Sequence, residues 1–185
     1  MPERALPPDT LTGLSLAEIA DAAAARRLPP VDSWNPAHCG DSGMQILADG
    51  TWLHDGSAIT RPAMVRLFST LLRREEDGCY VLVTPVEKLS ITVEDAPFAA
   101  VELVSEGAGR DRRLAFRLNT GDVVIAGPAH PVSMEEGRPL LHVRARLTAR
   151  LARPVYYELA ELALAEGNSP GGLWSDGGFL SLEEA

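Results

Sequence analysis

At 185 residues, 45% hydrophobic and 23% charged, the chain has the composition of a globular protein long enough to bury a core, which argues against disorder and a membrane class. Its 26 acidic residues outnumber 17 basic ones, and a formal charge of -9 repels a phosphate backbone, so nucleic acid is not an expected partner. Cys39 and Cys79 are too few for a disulfide framework, MPERALPPDT lacks a signal peptide's apolar core, and no window reaches the roughly 18 apolar residues of a membrane span; a cytoplasmic protein with packed, reduced thiols is expected.

In chain order, Ser15 to Glu18 form a capping box, and Leu16, Ile19, Ala20 and Ala23 recur at helical spacing until the Pro29-Pro30 pair, so residues 1–31 read as an arm. From Met44 to Ile59, two Asp-Gly turns separate β-formers and predict a small antiparallel meander. Pro62 opens a helix whose Met64, Leu67, Phe68, Leu71 and Leu72 line one face, closed by Asp77-Gly78. CYVLVT at 79–84 is apolar on both faces and reads as a central strand, and Leu89, Ile91 and Val93 alternate with polar residues in a strand with one wet face. Further strands fit 98–104, 113–118, 122–126 and 140–147, with a loop at 105–112. A second amphipathic helix is expected from about Pro154 to Ala165, and a last strand over 179–182.

The two helices suggest an internal repeat. TRPAMVRLFSTLL at 60–72 aligns without gaps on ARPVYYELAELAL at 152–164, and each is followed by Asp-Gly and a strand, DGCYVLV from 77 and DGGFLSL from 176. The predicted fold is α+β with duplicated strand-helix-strand units in mostly antiparallel sheet: the arm over 1–31, one unit over 32–97 and another over 98–185.

PAHCGDSG at 36–43 imitates the strings around a chymotrypsin-like histidine and serine. His38 and Ser42 lie four residues apart in one turn-rich segment, whereas a triad is recognised by convergent geometry, so the resemblance is a decoy. His38, Cys39, Asp41 and His54 show no paired ligand spacing, so no metal is expected. The two common nucleotide-cradling glycine loops are absent, so a nucleotide-type cofactor or ligand would be held some other way.

Five residues are candidate ligand contacts. Glu87 shares strand parity with Leu89 and Ile91 and should face the core, as a paired structural carboxylate or a ligand-orienting one, while Lys88 points outward. Asp95 reads as a turn former. Trp34, Trp52 and Phe98 suit a core, and a tryptophan edging a cleft can stack on a base, which makes Trp52 a candidate contact. Arg61 and Arg153 stand at the starts of the two helices, where free N–H groups already favour anions, and their alternative is pairing with a local carboxylate such as Glu87.

Across residues 34–98, CGD, DGTW, the Gly-Ser-x-Ile-x-Arg run, LF, LVTPVEK and VEDAPF resemble, in order and nearly without gaps, the pattern of the DUF1285 family. Arg-Pro-x-Tyr-Tyr and WSDGGFLSL resemble the family's ending, and Ser42 and Gly43 depart from it where an apolar and an acidic residue are expected. The resemblance implies duplicated α+β units, a second half similar to a pleckstrin-homology-like barrel, and an inter-domain cleft for a nucleotide-type ligand in signalling. The function expected is therefore a non-catalytic regulatory module that binds a small anionic molecule between its halves through Arg61 and Arg153. An enzyme using Glu87 or Asp41, and a module for a protein partner without a deep pocket, remain open.

Overall fold

The computed structural model describes Ser15, residues 28–168 and residues 171–184, so the helix expected over 16–27 lies outside the described residues. After Pro30 the chain makes one 3-10 turn, Val31–Ser33, and enters β1 (His38–Ile46), followed by β2 (Trp52–His54) and β3 (Ser57–Ala58). These form the expected meander, with Asp55 and Gly56 both at positive φ (48° and 80°) in the tight turn that matches strand twist. The meander begins at His38 rather than Met44. Register against the neighbouring strand jumps between Asp41 and Met44, and this bulge at Ser42-Gly43 breaks the alternation by which a strand is recognised.

Helix α1 (Pro62–Thr70) starts at its proline as expected but stops early. Leu72–Arg74 form strand β4, and Asp77-Gly78 turn it into β5 (Tyr80–Val83), with Leu72 opposite Leu82. Because Leu72 belongs to the sheet, Val65, Phe68 and Leu71 meet the core, while Leu67, assigned to the inner face by periodicity, is 58% exposed. Strand β6 (Glu87–Val93) pairs antiparallel with β5 and parallel with β1, which closes a six-stranded sheet of order β3-β2-β1-β6-β5-β4.

The second half adds β7 (Phe98–Glu106), β8 (Arg113–Leu118), β9 (Val123–Ala126), β10 (Val132–Glu135), β11 (Arg138–Arg144) and β12 (Leu147–Leu151), in the order β10-β11-β12-β7-β8-β9. The single strand expected over 140–147 is thus the end of one strand, a turn at Ala145 (φ 46°) and the start of another, and β10 has no counterpart among the expected strands. The expected loop after 104 contributes two more residues to β7 and a 3-10 turn at Gly109–Asp111. Helix α2 (Arg153–Glu166) buries Val155, Leu159 and Ala163 at four-residue spacing and lies against β7 and against β13 (Gly172–Ser175), which pairs with β14 (Gly178–Ser181). The hairpin is pinned to the sheet by Ser175, whose buried hydroxyl accepts from Leu114 N–H (2.9 Å) and donates to the Ala126 carbonyl (2.7 Å).

The two sheets share one connectivity: two three-stranded antiparallel meanders, joined in parallel through the first strand of one and the last strand of the other. The helices do not share it. α1 connects the third and fourth strands of its sheet, whereas α2 follows the sixth strand and leads into a separate two-stranded sheet, so the helix-plus-strand segments aligned in sequence occupy different places. One hydrophobic cluster runs through both halves, from Ile46, Trp52 and Leu82 to Phe98, Phe116 and Leu159. Among the described residues, no helix is long and apolar enough to cross a membrane.

Candidate functional site

The halves meet along a seam of polar contacts. Asn119, in the β8–β9 turn, donates to the Gly50 carbonyl (3.1 Å) and accepts from Ala99 N–H (3.0 Å), and a Cβ on Gly50 (φ 88°) would sit 2.7 Å from the Asn119 amide nitrogen. Arg66 of α1 donates through Nε to the Thr120 carbonyl (3.1 Å). Asp95 lies in the bend between the sheets, where a turn is expected, and there it pairs with Arg138 (3.1 Å) and Arg150 of the second sheet.

Arg144 leaves β11 at the Ala145 turn and reaches across the seam, where Nη2 donates to the Ser69 carbonyl in the last turn of α1 (2.6 Å). Its guanidinium carbon lies 5.2 Å from the centre of the Phe98 ring. No carboxylate among the described residues pairs with it; burial pushes its pKa down, opposed by the more distant charge of Asp32. It lines an inner cavity of about 180 Å³ together with Arg73, Arg74 and Asp32. Arg73 is neutralised by Glu75 and Arg74 is exposed over the Tyr80 ring, which leaves half-buried Arg144 as the cation of this cavity without a carboxylate, and a cation drawn out of water without a partner is costly.

Asp32, Arg73, Arg74 and Ala145 also border a wider outer cleft of about 1060 Å³, which adds Trp34, Lys88 and Arg146. Here charges balance. Arg73 is consumed by Glu75 (2.6 Å) and by the carbonyls of Val31 (2.8 Å) and Trp34 (2.7 Å), and the same Glu75 oxygen holds Lys88 (3.6 Å). Arg73 thereby holds the Glu75 carboxyl below its ordinary range. Arg146 and Glu76 are both mostly exposed and 3.4 Å apart, a contact worth little in water. A third cleft, about 380 Å³, lies at the start of α1 and takes in Trp52, Arg66, Arg117 and Asn119.

The expected contacts are therefore divided. Lys88 borders the outer cleft and Trp52 the third, while Arg61 and Arg153 are exposed at their helix starts and line none of the three. Glu87 keeps its predicted parity, but as the first residue of β6 it is only half-buried and lines none of them either. Asp41 is exposed and accepts from Gly43 N–H (3.0 Å) and Ser90 Oγ (3.3 Å), while the Ser42 hydroxyl donates to the Ser90 carbonyl (2.7 Å), not to an imidazole. Cys39 and Cys79 are exposed free thiols rather than packed ones, one on the bulged strand and one beside a hairpin turn. Trp34, read as core, is half-buried and edges the outer cleft. Among the described residues no three metal-ligating side chains come together. Arg144 and Arg146 escaped sequence reading because HVRAR looks like continuous strand, and only the turn at Ala145 turns both toward the seam.

Two family models match end to end: "Domain of unknown function (DUF1285), N-terminal domain" over residues 29–96, and "Protein of unknown function (DUF1285), C-terminal domain" over residues 97–182. The crystal structure of a DUF1285 family protein from Silicibacter pomeroyi DSS-3 is similar with a TM-score of 0.78 and 43% identity, covering 90% of this chain and 95% of that one. One from Shewanella baltica OS155 is similar at TM-score 0.54 and 25% identity, covering 68% and 96%. A search of curated proteins found no match.

Proposed function

The chain belongs to the DUF1285 family, and on that footing we propose that it is a non-catalytic regulatory module of the cytoplasm that binds a small, nucleotide-like anion at the seam between its halves. The observation that carries the reading is Arg144: a half-buried guanidinium lining the inner cavity, held by one carbonyl and an aromatic face but by no carboxylate among the described residues. A phosphate would supply the missing charge through a planar two-point contact. The outer cleft is large enough for a nucleoside, and half-buried Trp34 at its edge offers a face on which a base can stack. A pleckstrin-homology-like character of the second half belongs to the same proposal, supported by its two antiparallel meanders followed by α2.

The test is a thermal-shift screen of nucleoside mono- and diphosphates followed by calorimetry. A saturating ligand at about 100 times its Kd stabilises the native state by about 2.7 kcal/mol, which raises Tm by roughly 5–11 °C for a chain of this size. Arg144→Gln should weaken binding by about tenfold or more, the worth of one charge-assisted hydrogen bond. The exposed Arg146→Ser should weaken it less and leave folding intact. Arg61→Ala and Arg153→Ala report whether the helix starts join the site. If no anion shifts the wild type, or if Arg144→Gln binds a hit unchanged, the reading is wrong.

A further inference from the structure

We infer that the outer ridge of α2 is a docking surface for a basic amphipathic helix of a partner protein. Helical spacing sets the ridge. Tyr157, Glu161 and Leu164 stand at i, i+4 and i+7, on the side opposite Val155, Leu159 and Ala163, which enter the core. Tyr157 is 57% and Leu164 82% exposed, two turns or about 10.5 Å apart along the axis. Apolar side chains scattered singly over a surface need no explanation, but two large ones on one helical ridge form a strip that water solvates poorly. None of the ridge residues lines any of the three clefts, so this surface is separate from the anion site at Arg144.

Charge selects the partner. Glu161 lies between the two apolar side chains and Glu158 flanks them; both are exposed, and neither has an ion-pair partner among the described residues. Partial burial pushes the Glu158 carboxyl pKa up, and the charges of Glu161 and of Glu102 on β7 push it further. The arginine beside Glu102, Arg117, is bound to it (2.7 Å). Three carboxylates thus crowd one flank of the ridge around a single arginine, and a Lys or Arg brought by a partner relieves their repulsion. Arg153 is the one cation of α2 and stands at its first position, four residues ahead of Tyr157, so the middle of the helix is purely acidic. Such a face repels nucleic-acid phosphates and anionic lipid headgroups, which leaves a basic protein segment as the occupant.

The ridge is also held rigid, so docking on it costs little ordering on this side. The inner stripe fastens α2 to the core, Glu166 at its last position is bound by buried Arg112, and Gly167 (φ 64°) ends it. Ala160 and Ala165, on either side of the ridge, are small enough to let a second helix approach to the usual axis separation of about 8–10 Å. A helix with leucine-like side chains toward Tyr157 and Leu164 and lysines toward Glu158 and Glu161 satisfies both features, and an exposed tyrosine is a frequent anchor of such contacts.

The experiment is fluorescence anisotropy of the full chain with a labelled amphipathic peptide of leucine and lysine, about four helical turns long, and with the same peptide carrying glutamate for lysine. The lysine peptide should bind and the glutamate peptide should not. Tyr157→Ser combined with Leu164→Ser should weaken binding about tenfold or more, and Glu158→Gln combined with Glu161→Gln about fivefold. All four positions are exposed, so both variants should keep the wild-type circular dichroism. Glu135→Gln combined with Asp55→Asn removes the same charge elsewhere, Asn being tolerated at the positive φ of Asp55, and should change binding less than about twofold. That control separates docking on α2 from attraction to the net charge of -9. Arg144→Gln should leave peptide binding unchanged, so the outcome is read independently of the anion site. No binding of the lysine peptide at millimolar concentration, unaltered binding in both α2 variants, or a loss in the Glu135 and Asp55 control equal to that in the Glu158 and Glu161 variant overturns the assignment.

Discussion

Glu75 shows how one carboxylate can organise a charged cleft. Its Oε1 accepts from Arg73 and also faces Lys88, and Arg73 in turn ties down the carbonyls of Val31 and Trp34, so the segment entering β1 is fastened to β4 through a single ion pair. The Arg73 hydrogen bond depresses the Glu75 pKa against the opposing effect of burial. A carboxyl whose folded pKa lies below its unfolded value adds stability above the unfolded value and loses it as pH falls through the folded one. Denaturant melts between pH 7 and about pH 3 should therefore show Glu75→Gln less stable than wild type at neutral pH, with the gap narrowing below the ordinary carboxylate range near pH 4. An undiminished gap at the acid end would mean that packing of the side chain, not its charge, is what matters.

At the level of elements, the two helices were predicted by the same apolar periodicity and fared differently. α2 keeps its stripe: Val155, Leu159 and Ala163 all face the sheet. α1 does not, because the chain leaves the helix at Leu71 and Leu72 enters β4, which rotates the inward face onto Val65 and Phe68. Leu67→Gln is accordingly expected to change stability by no more than about 0.5 kcal/mol, whereas Leu159→Ala, at a fully buried position, should cost about 2–5 kcal/mol. Urea unfolding of the two variants distinguishes this arrangement from the periodic one, which would make both substitutions severe.

For the molecule as a whole, the seam depends on a close backbone approach. Gly50 sits at positive φ beneath the Asn119 amide, so Gly50→Ala combines a strained conformation, of order 1–3 kcal/mol, with a clash against the residue that bridges the halves. Thermal unfolding should begin lower, and proteolysis should cut first near the seam; melting like wild type would show that Asn119 can step aside at no cost. Much of this architecture was legible beforehand. Asp-Gly pairs, Pro62, Pro154 and the apolar run at 80–83 act through local backbone preference, so they placed the first meander, both helix starts and strand β5, which lies one in from the edge of the first sheet rather than at its centre. Composition and motif order likewise determined the α+β class and the family. What only tertiary structure decided was anything that depends on partners distant in sequence: that Leu72 leaves its helix to pair with Leu82, that both sheets use the same parallel seam between meanders, and that the aligned helices occupy unequal places. The candidate sites fall in the same category. Arg144 meets Ser69 across 75 residues of chain and Asn119 meets Gly50 across 69, and a cavity's charge exists only once such separations are closed, because pattern along a chain records which face a side chain takes but not what stands opposite it.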